Sequence, residues 1–115
     1  MGWKEMEVAP VAQGEITQFA YESVVELSSI AVSDWIIVPT GINIVTVTLS
    51  VGGGGKGKVQ TSTDGVLIVK DGSPVAVDWD FGEVDANTQD AGLPPTAIRL
   101  SQTFAGTTKL TVRAQ

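Results

Sequence analysis

The sequence contains no cysteine and no histidine. Without cysteine there is no disulfide, no thiolate nucleophile and no zinc–cysteine site, and the redox compartment stays open. Without histidine the commonest general base and the commonest transition-metal ligand are both missing, so triads built on a histidine base are excluded. Aromatics are scarce, with three Trp, three Phe and one Tyr, so a core has to be assembled from Val, Ile and Leu. Seven basic side chains stand against 13 acidic ones, a formal net charge of −6. Only Lys56 and Lys58 lie close together, which is no footprint for displacing the counterions of DNA or RNA. No apolar run approaches the roughly 18 residues of a membrane-crossing helix. The opening MGWKEMEVAPVAQG has no apolar block flanked by basic residues, so no signal peptide is expected. Together these absences set the expectation of a protein that is not an enzyme, needs no cofactor, and touches neither nucleic acid nor membrane.

What is present is a β pattern. At 115 residues and 43% apolar composition, the chain has the length of one domain that buries its own core. Residues 1–14 show no period and read as an N-terminal arm or edge segment, and residues 15–115 as a single β-sandwich domain. Residues 15–32 are rich in β-branched and aromatic side chains and predict two strands with a break near Glu22-Ser23. A short apolar strand is expected at 35–38. In residues 42–51, Val45, Val47, Leu49 and Val51 alternate with Thr46, Thr48 and Ser50, the period of a half-buried antiparallel strand. A glycine loop and a strand at 58–63 complete a predicted hairpin. Thr63-Asp64-Gly65 then closes a second one, since Asp-Gly accepts the positive φ of such turns. Strands are expected at 66–70 and 75–81, the latter with Val75, Val77, Trp79 and Phe81 on one face. Residues 82–95 read as the longest loop, ending in a proline pair that cannot join a central strand. Two final strands, 97–104 and 107–113, turn at Ala105-Gly106. The expected fold class is therefore all-β: an antiparallel β-sandwich or jelly roll of eight to nine short strands.

Few strings look like chemistry. Residues 52–58, GGGGKGK, satisfy the G-x-x-x-x-G-K part of a phosphate-binding loop. That motif works at a helix N-terminus and needs a Ser or Thr next, whereas Val59 and a strand follow here, so a hairpin loop is expected. Asp78, Asp80, Glu83 and Asp85 place four carboxylates within eight residues, a set that is able to hold calcium. Gly82 stands where the calcium-loop pattern requires Asp or Asn, and outward aspartates also keep a sheet face wet, which is the preferred reading. No metal site is therefore assigned. A carboxylate pair doing glycosidase work would need a sugar cleft that so few aromatics do not supply. Trp35 and Trp79 sit in apolar strand patterns and are expected in the core. Trp3 and Met6, on the arm, and Arg99 and Arg113, on outward faces of neighbouring predicted strands, are the interface candidates.

Two segments carry a likeness. VTVTLSVGGGGKGKVQTSTDG resembles the strand, glycine loop, strand and S-x-D-G turn of small virion structural proteins of tailed bacteriophages. GLPPTAIRLSQTFAGTTKLTVRAQ is similar to their closing hairpin, in which an Arg-bearing strand passes through a Gly/Thr turn to a last amphipathic strand. The two cover about two fifths of the chain. The resemblance implies a non-enzymatic head decoration, or cement, protein that docks on the assembled capsid. Its expected partner is the major capsid protein or another virion protein, its expected state a homo-oligomer with a trimer favoured, and its location the virion. The alternatives are a carbohydrate- or receptor-binding sandwich of a tail fibre or adhesin, and a tail-tube or baseplate subunit, whose tube-lining hairpin would have to be residues 42–63.

Overall fold

The computed structural model describes residues 2–9 and 20–115. Residues 10–14 of the expected arm and 15–19 of the first expected strand lie outside them. In chain order the elements are β1 (Trp3–Glu5), β2 (Glu7–Val8), β3 (Tyr21–Leu27), β4 (Ala31–Val32), β5 (Trp35–Ile37) and β6 (Val45–Gly52). There follow β7 (Lys56–Ser62), α1 (Val66–Asp71), β8 (Val77–Asp78), β9 (Thr88–Gly92), β10 (Ala97–Phe104) and β11 (Thr107–Ala114). One sheet runs β1-β5-β10-β7-β8, with β4 also on β10, and the other runs β2-β3-β11-β6-β9. The β1–β5 pair is parallel and the other ladders antiparallel. The fold is thus the expected all-β sandwich. Among the described residues it has eleven strands rather than eight or nine, because pieces of two or three residues such as β2, β4 and β8 are too short to show an alternation.

The core lies where period two puts it. Val45, Val47 and Leu49 of β6 and Leu110, Val112 and Ala114 of β11 are fully buried. They meet Val59 of β7 and Ile98 and Leu100 of β10 across the gap between the sheets. Each such aliphatic side chain contributes about 1.5–3 kcal/mol by leaving water. β3 runs unbroken through Glu22-Ser23, paired residue for residue with β11, so the expected break is absent. Trp35, Ile36 and Ile37 are all buried because β5 is covered on both faces. Ile36 belongs to the main core, whereas Trp35 and Ile37 form a satellite cluster with Val69 and Ala97.

Three local expectations are corrected. Residues 66–70 form α1, not a strand. The Asp64 carboxylate accepts the Val75 N–H at 2.7 Å, while Asp64 N–H donates to Ser62 Oγ at 3.2 Å. Between these two anchors the chain makes a six-residue helix of about 9 Å. Val69 packs on Trp35, and Gly72 ends the helix at φ +87° with its N–H on Val69 O. Thr63-Asp64-Gly65 therefore leads into a helix and closes no hairpin. Second, the expected 82–95 loop contains β9, paired with β6 from Thr88↔Leu49 to Gly92↔Val45.

Third, neither the glycine loop nor Ala105-Gly106 turns a hairpin. β6 and β7 lie in different sheets, as do β10 and β11, so both connections are corners that carry the chain across the sandwich. Gly53 and Gly54, at φ +61° and +77°, make the first corner. The two corners touch: a Cβ on Gly106 would lie 2.4 Å from Gly55 N. Among the described residues no hairpin of residues 42–63 exists to line a tube.

The N-terminal segment is woven in rather than laid on. β1 extends one sheet and β2 the other, and Met6 between them is buried in the main core. Met6→Ala is accordingly expected to lower the unfolding free energy by about 2 kcal/mol. Equilibrium urea denaturation measures it, and an unchanged midpoint would mean that the segment lies loosely on the surface.

Candidate functional site

The side of the sandwich away from β1 and β2 is closed by two other edges, β8 of one sheet and β9 of the other. β8 pairs with β7 over only two residues, after which the chain turns at Trp79, whose carbonyl accepts Gly82 N–H at 2.9 Å. The expected one-sided face of Val75, Val77, Trp79 and Phe81 is therefore split. Trp79 and Phe81 pack against the main core, while Val75 and Val77 stay exposed. Between the edges is a cleft of about 350 Å³, lined by Val77, Asp78, Trp79 and Asp80 on one side and by Asp90, Gly92, Leu93 and the Pro94-Pro95 pair on the other.

Trp79 is moored on the floor of this cleft. Its Nε1–H donates to Asp90 Oδ2 at 2.8 Å, and its main-chain N–H donates to Val59 O at 2.8 Å. Gly92 lies against the ring; a Cβ there would stand 3.3 Å from the indole, so the glycine is what lets β9 close over it. The indole donor, with a backbone bond from Ala91, holds the Asp90 carboxyl below its usual range. Asp78 accepts from Gln60 Nε2 at 3.1 Å and from Lys58 Nζ at 3.2 Å. Those two bonds, Gln60 first, likewise lower its pKa.

The four carboxylates noticed in the sequence do not converge. Asp78 and Asp80 line the cleft, whereas Glu83 and Asp85 border a separate hollow beside Lys56. Among the described residues no group of three or more acidic side chains is placed to hold a metal ion. The lysines of GGGGKGK also turn away from their loop. Lys56 Nζ stands 5.5 Å from the Phe104 ring centroid and Lys58 binds Asp78, while the loop itself abuts Gly106 and leads into a strand. A larger hollow of about 450 Å³, near this corner, is lined by Leu27 and Val51 together with polar side chains such as Ser50, Asn87 and Lys109.

The interface candidates are dispersed. Trp3 is half-buried beneath Lys70, whose Nζ is 4.3 Å from its ring centroid, and Met6 is inside the core. Arg99 and Arg113 are not on neighbouring strands, since β10 and β11 belong to opposite sheets. Arg99 spreads over the buried Trp35 ring at 4.5 Å and donates through Nε to Gln60 Oε1 at 2.8 Å. Arg113 Nε donates to Glu22 Oε2 at 2.7 Å. Trp35 is buried as expected, but under α1 on the outer face of its sheet and not between the sheets.

Sequence reasoning missed the cleft because its far wall is β9, and TQDAG has none of the β-branched alternation that marks a strand. The available signal was Leu93, a large aliphatic in a polar loop, which is 87% exposed. Leu67 and Ile68 on α1, and Val75 and Val77 beyond it, are exposed as well. α1 and residues 75–77 flank one satellite cluster, into which Val69 and Ala76 both pack. Comparison of the chain with protein-family models, with curated proteins and with solved structures finds no match to any of them.

Proposed function

We propose that the chain is a non-enzymatic structural protein of a tailed-phage virion, a capsid decoration protein that docks on the assembled head and stabilises it. The observation that carries the reading is the exposed aliphatic surface of α1, residues 75–77 and Leu93. Val77 and Leu93 line one cleft, α1 and residues 75–77 flank one satellite cluster, and exposed aliphatic patches of this kind mark a surface that is covered in the working state. The capsid as the covering partner, and a homo-oligomer with a trimer favoured, come from the resemblance of residues 42–65 and 92–115 to such proteins. A carbohydrate-binding module of a fibre or adhesin needs a free aromatic face for a sugar. All three indoles are already engaged here: Trp3 under Lys70, Trp35 under Arg99, and Trp79 by Asp90 and Gly92.

Particles purified on a density gradient from the source that carries this chain provide the test. An antibody against the protein is expected to label the intact heads, and mild denaturant to strip the protein from them. Adding back purified protein should restore the label. A protein absent from the particles, or present only in tail fractions, would overturn the reading.

A further inference from the structure

The geometry points to the cleft between β8 and β9 as the seat of an extended, lysine- or arginine-bearing segment of the partner protein. This deepens the docking reading and rests on it for the nature of the partner. Three features of the cleft argue for it. Among the described residues β9 is an edge strand paired with β6 alone, so its outer main-chain groups face an added strand, apart from the Ala91 N–H, which the Asp90 carboxylate already holds. Leu93 and Val77, 87% and 59% exposed, stand at the two rims and offer apolar seats for alternate side chains. The ionisable groups among the described lining residues are Asp78, Asp80 and Asp90, with no cation beside them in the lining.

Charge decides which strand enters. A second copy of this chain pairing about a two-fold axis at the middle of β9 would set Asp90 opposite Asp90, and like charges directly opposed are destabilising. The net charge of −6 opposes any self-association at this edge further. A strand carrying cations at alternate positions meets the opposite situation. Asp78 is already paired with Lys58 and Asp90 is bonded to Trp79, which leaves Asp80 as the exposed carboxylate most open to an incoming ammonium or guanidinium. Asp90 is held in place by Trp79 and fixes the register.

Two titrations followed by backbone amide NMR test this, one with a short capped peptide of alternating Val and Lys and one with its Val/Glu counterpart. The Val/Lys peptide is expected to shift the β9 amides, Leu93 and the Trp79 indole N–H, with affinity that falls as salt rises. Asp80→Lys and Leu93→Glu, both at exposed positions, are expected to weaken it about tenfold each while leaving the melting curve unchanged. Equal binding of the Val/Glu peptide, shifts centred elsewhere, no saturable binding, or unchanged affinity in both variants would overturn the proposal. The same variants are then added back to stripped particles. If both variants dock as well as the parent protein, the cleft is not the seat and the docking reading stands. A protein absent from particles whose cleft still binds the cationic peptide selectively would overturn the docking reading and leave the cleft site standing.

Discussion

Gly106→Ala is expected to lower the unfolding free energy by about 4 kcal/mol, a large part of the roughly 5–15 kcal/mol that holds a domain of this kind together. A Cβ on Gly106 would sit 2.4 Å from Gly55 N, 2.5 Å from Gly55 Cα and 2.8 Å from Gly52 O. All three are backbone atoms of the facing corner, so no rotamer change relieves the clash. The φ of +152° adds a conformation that L-residues rarely adopt. Relief would require the two corners to separate, which pulls β6 from its place beside β11 and β7 from its place beside β10. Gly54→Ala is the control. It shares the positive φ, +77°, but has nothing within 4 Å of the added methyl, and its cost is expected to be about 1 kcal/mol. Thermal or urea denaturation of both variants reads the difference. Equal melting points would mean that the corners do not bear on each other in solution.

Gln102→Leu is expected to cost about 3 kcal/mol, with no large change in side-chain volume. Gln102 is buried at 1% exposure, and its amide binds the second corner from inside. Nε2 donates to Phe104 O at 3.1 Å and to Gly106 O at 2.9 Å, and Oε1 accepts from the buried Thr108 hydroxyl at 2.8 Å. Leucine leaves two carbonyls and a hydroxyl without these partners, and stranding buried polar groups outweighs the apolar gain. Thr108→Val in the same chain removes the stranded hydroxyl, so the double variant should recover about 1 kcal/mol relative to Gln102→Leu alone. Equilibrium urea denaturation of the four proteins completes the cycle. Additive losses would show that Gln102 and Thr108 act independently.

These two positions also mark where the sequence ceases to be readable. The alternation of Val45, Val47 and Leu49 with threonines identified a buried face, and β10 and β11 fall almost where their patterns put them. A period of two states which side of a strand is buried but not which sheet the strand joins. The glycine loop and Ala105-Gly106 therefore read as hairpin turns when they are corners between sheets. Residues 66–70 are β-formers by composition, and what accompanies their helix is distant in sequence: Val69 packs in the Trp35 cluster, and Asp64 bonds to Val75, eleven residues on. β9 forms because β6 offers it a free ladder, a reason lodged in another part of the chain. The cleft inherits both difficulties, since one wall is the truncated β8 and the other is β9. Its carboxylates were visible, but Asp90 was not among those singled out, and nothing local told Asp80 from Glu83.

The order of strands within the sheets has a consequence for how the protein comes into being. β10 lies at the middle of one sheet and β11 at the middle of the other, yet they are the last two strands along these residues. During synthesis β3 and β6 have no common neighbour until residues 107–114 have emerged, and β5 and β7 none until residues 97–104 have. Earlier strands must wait as open edges with their aliphatic faces uncovered, a period in which they are vulnerable to pairing with other nascent chains. Folding is therefore expected as one late, concerted event dominated by distant pairings, with the millisecond-to-second timing common to β-sandwiches.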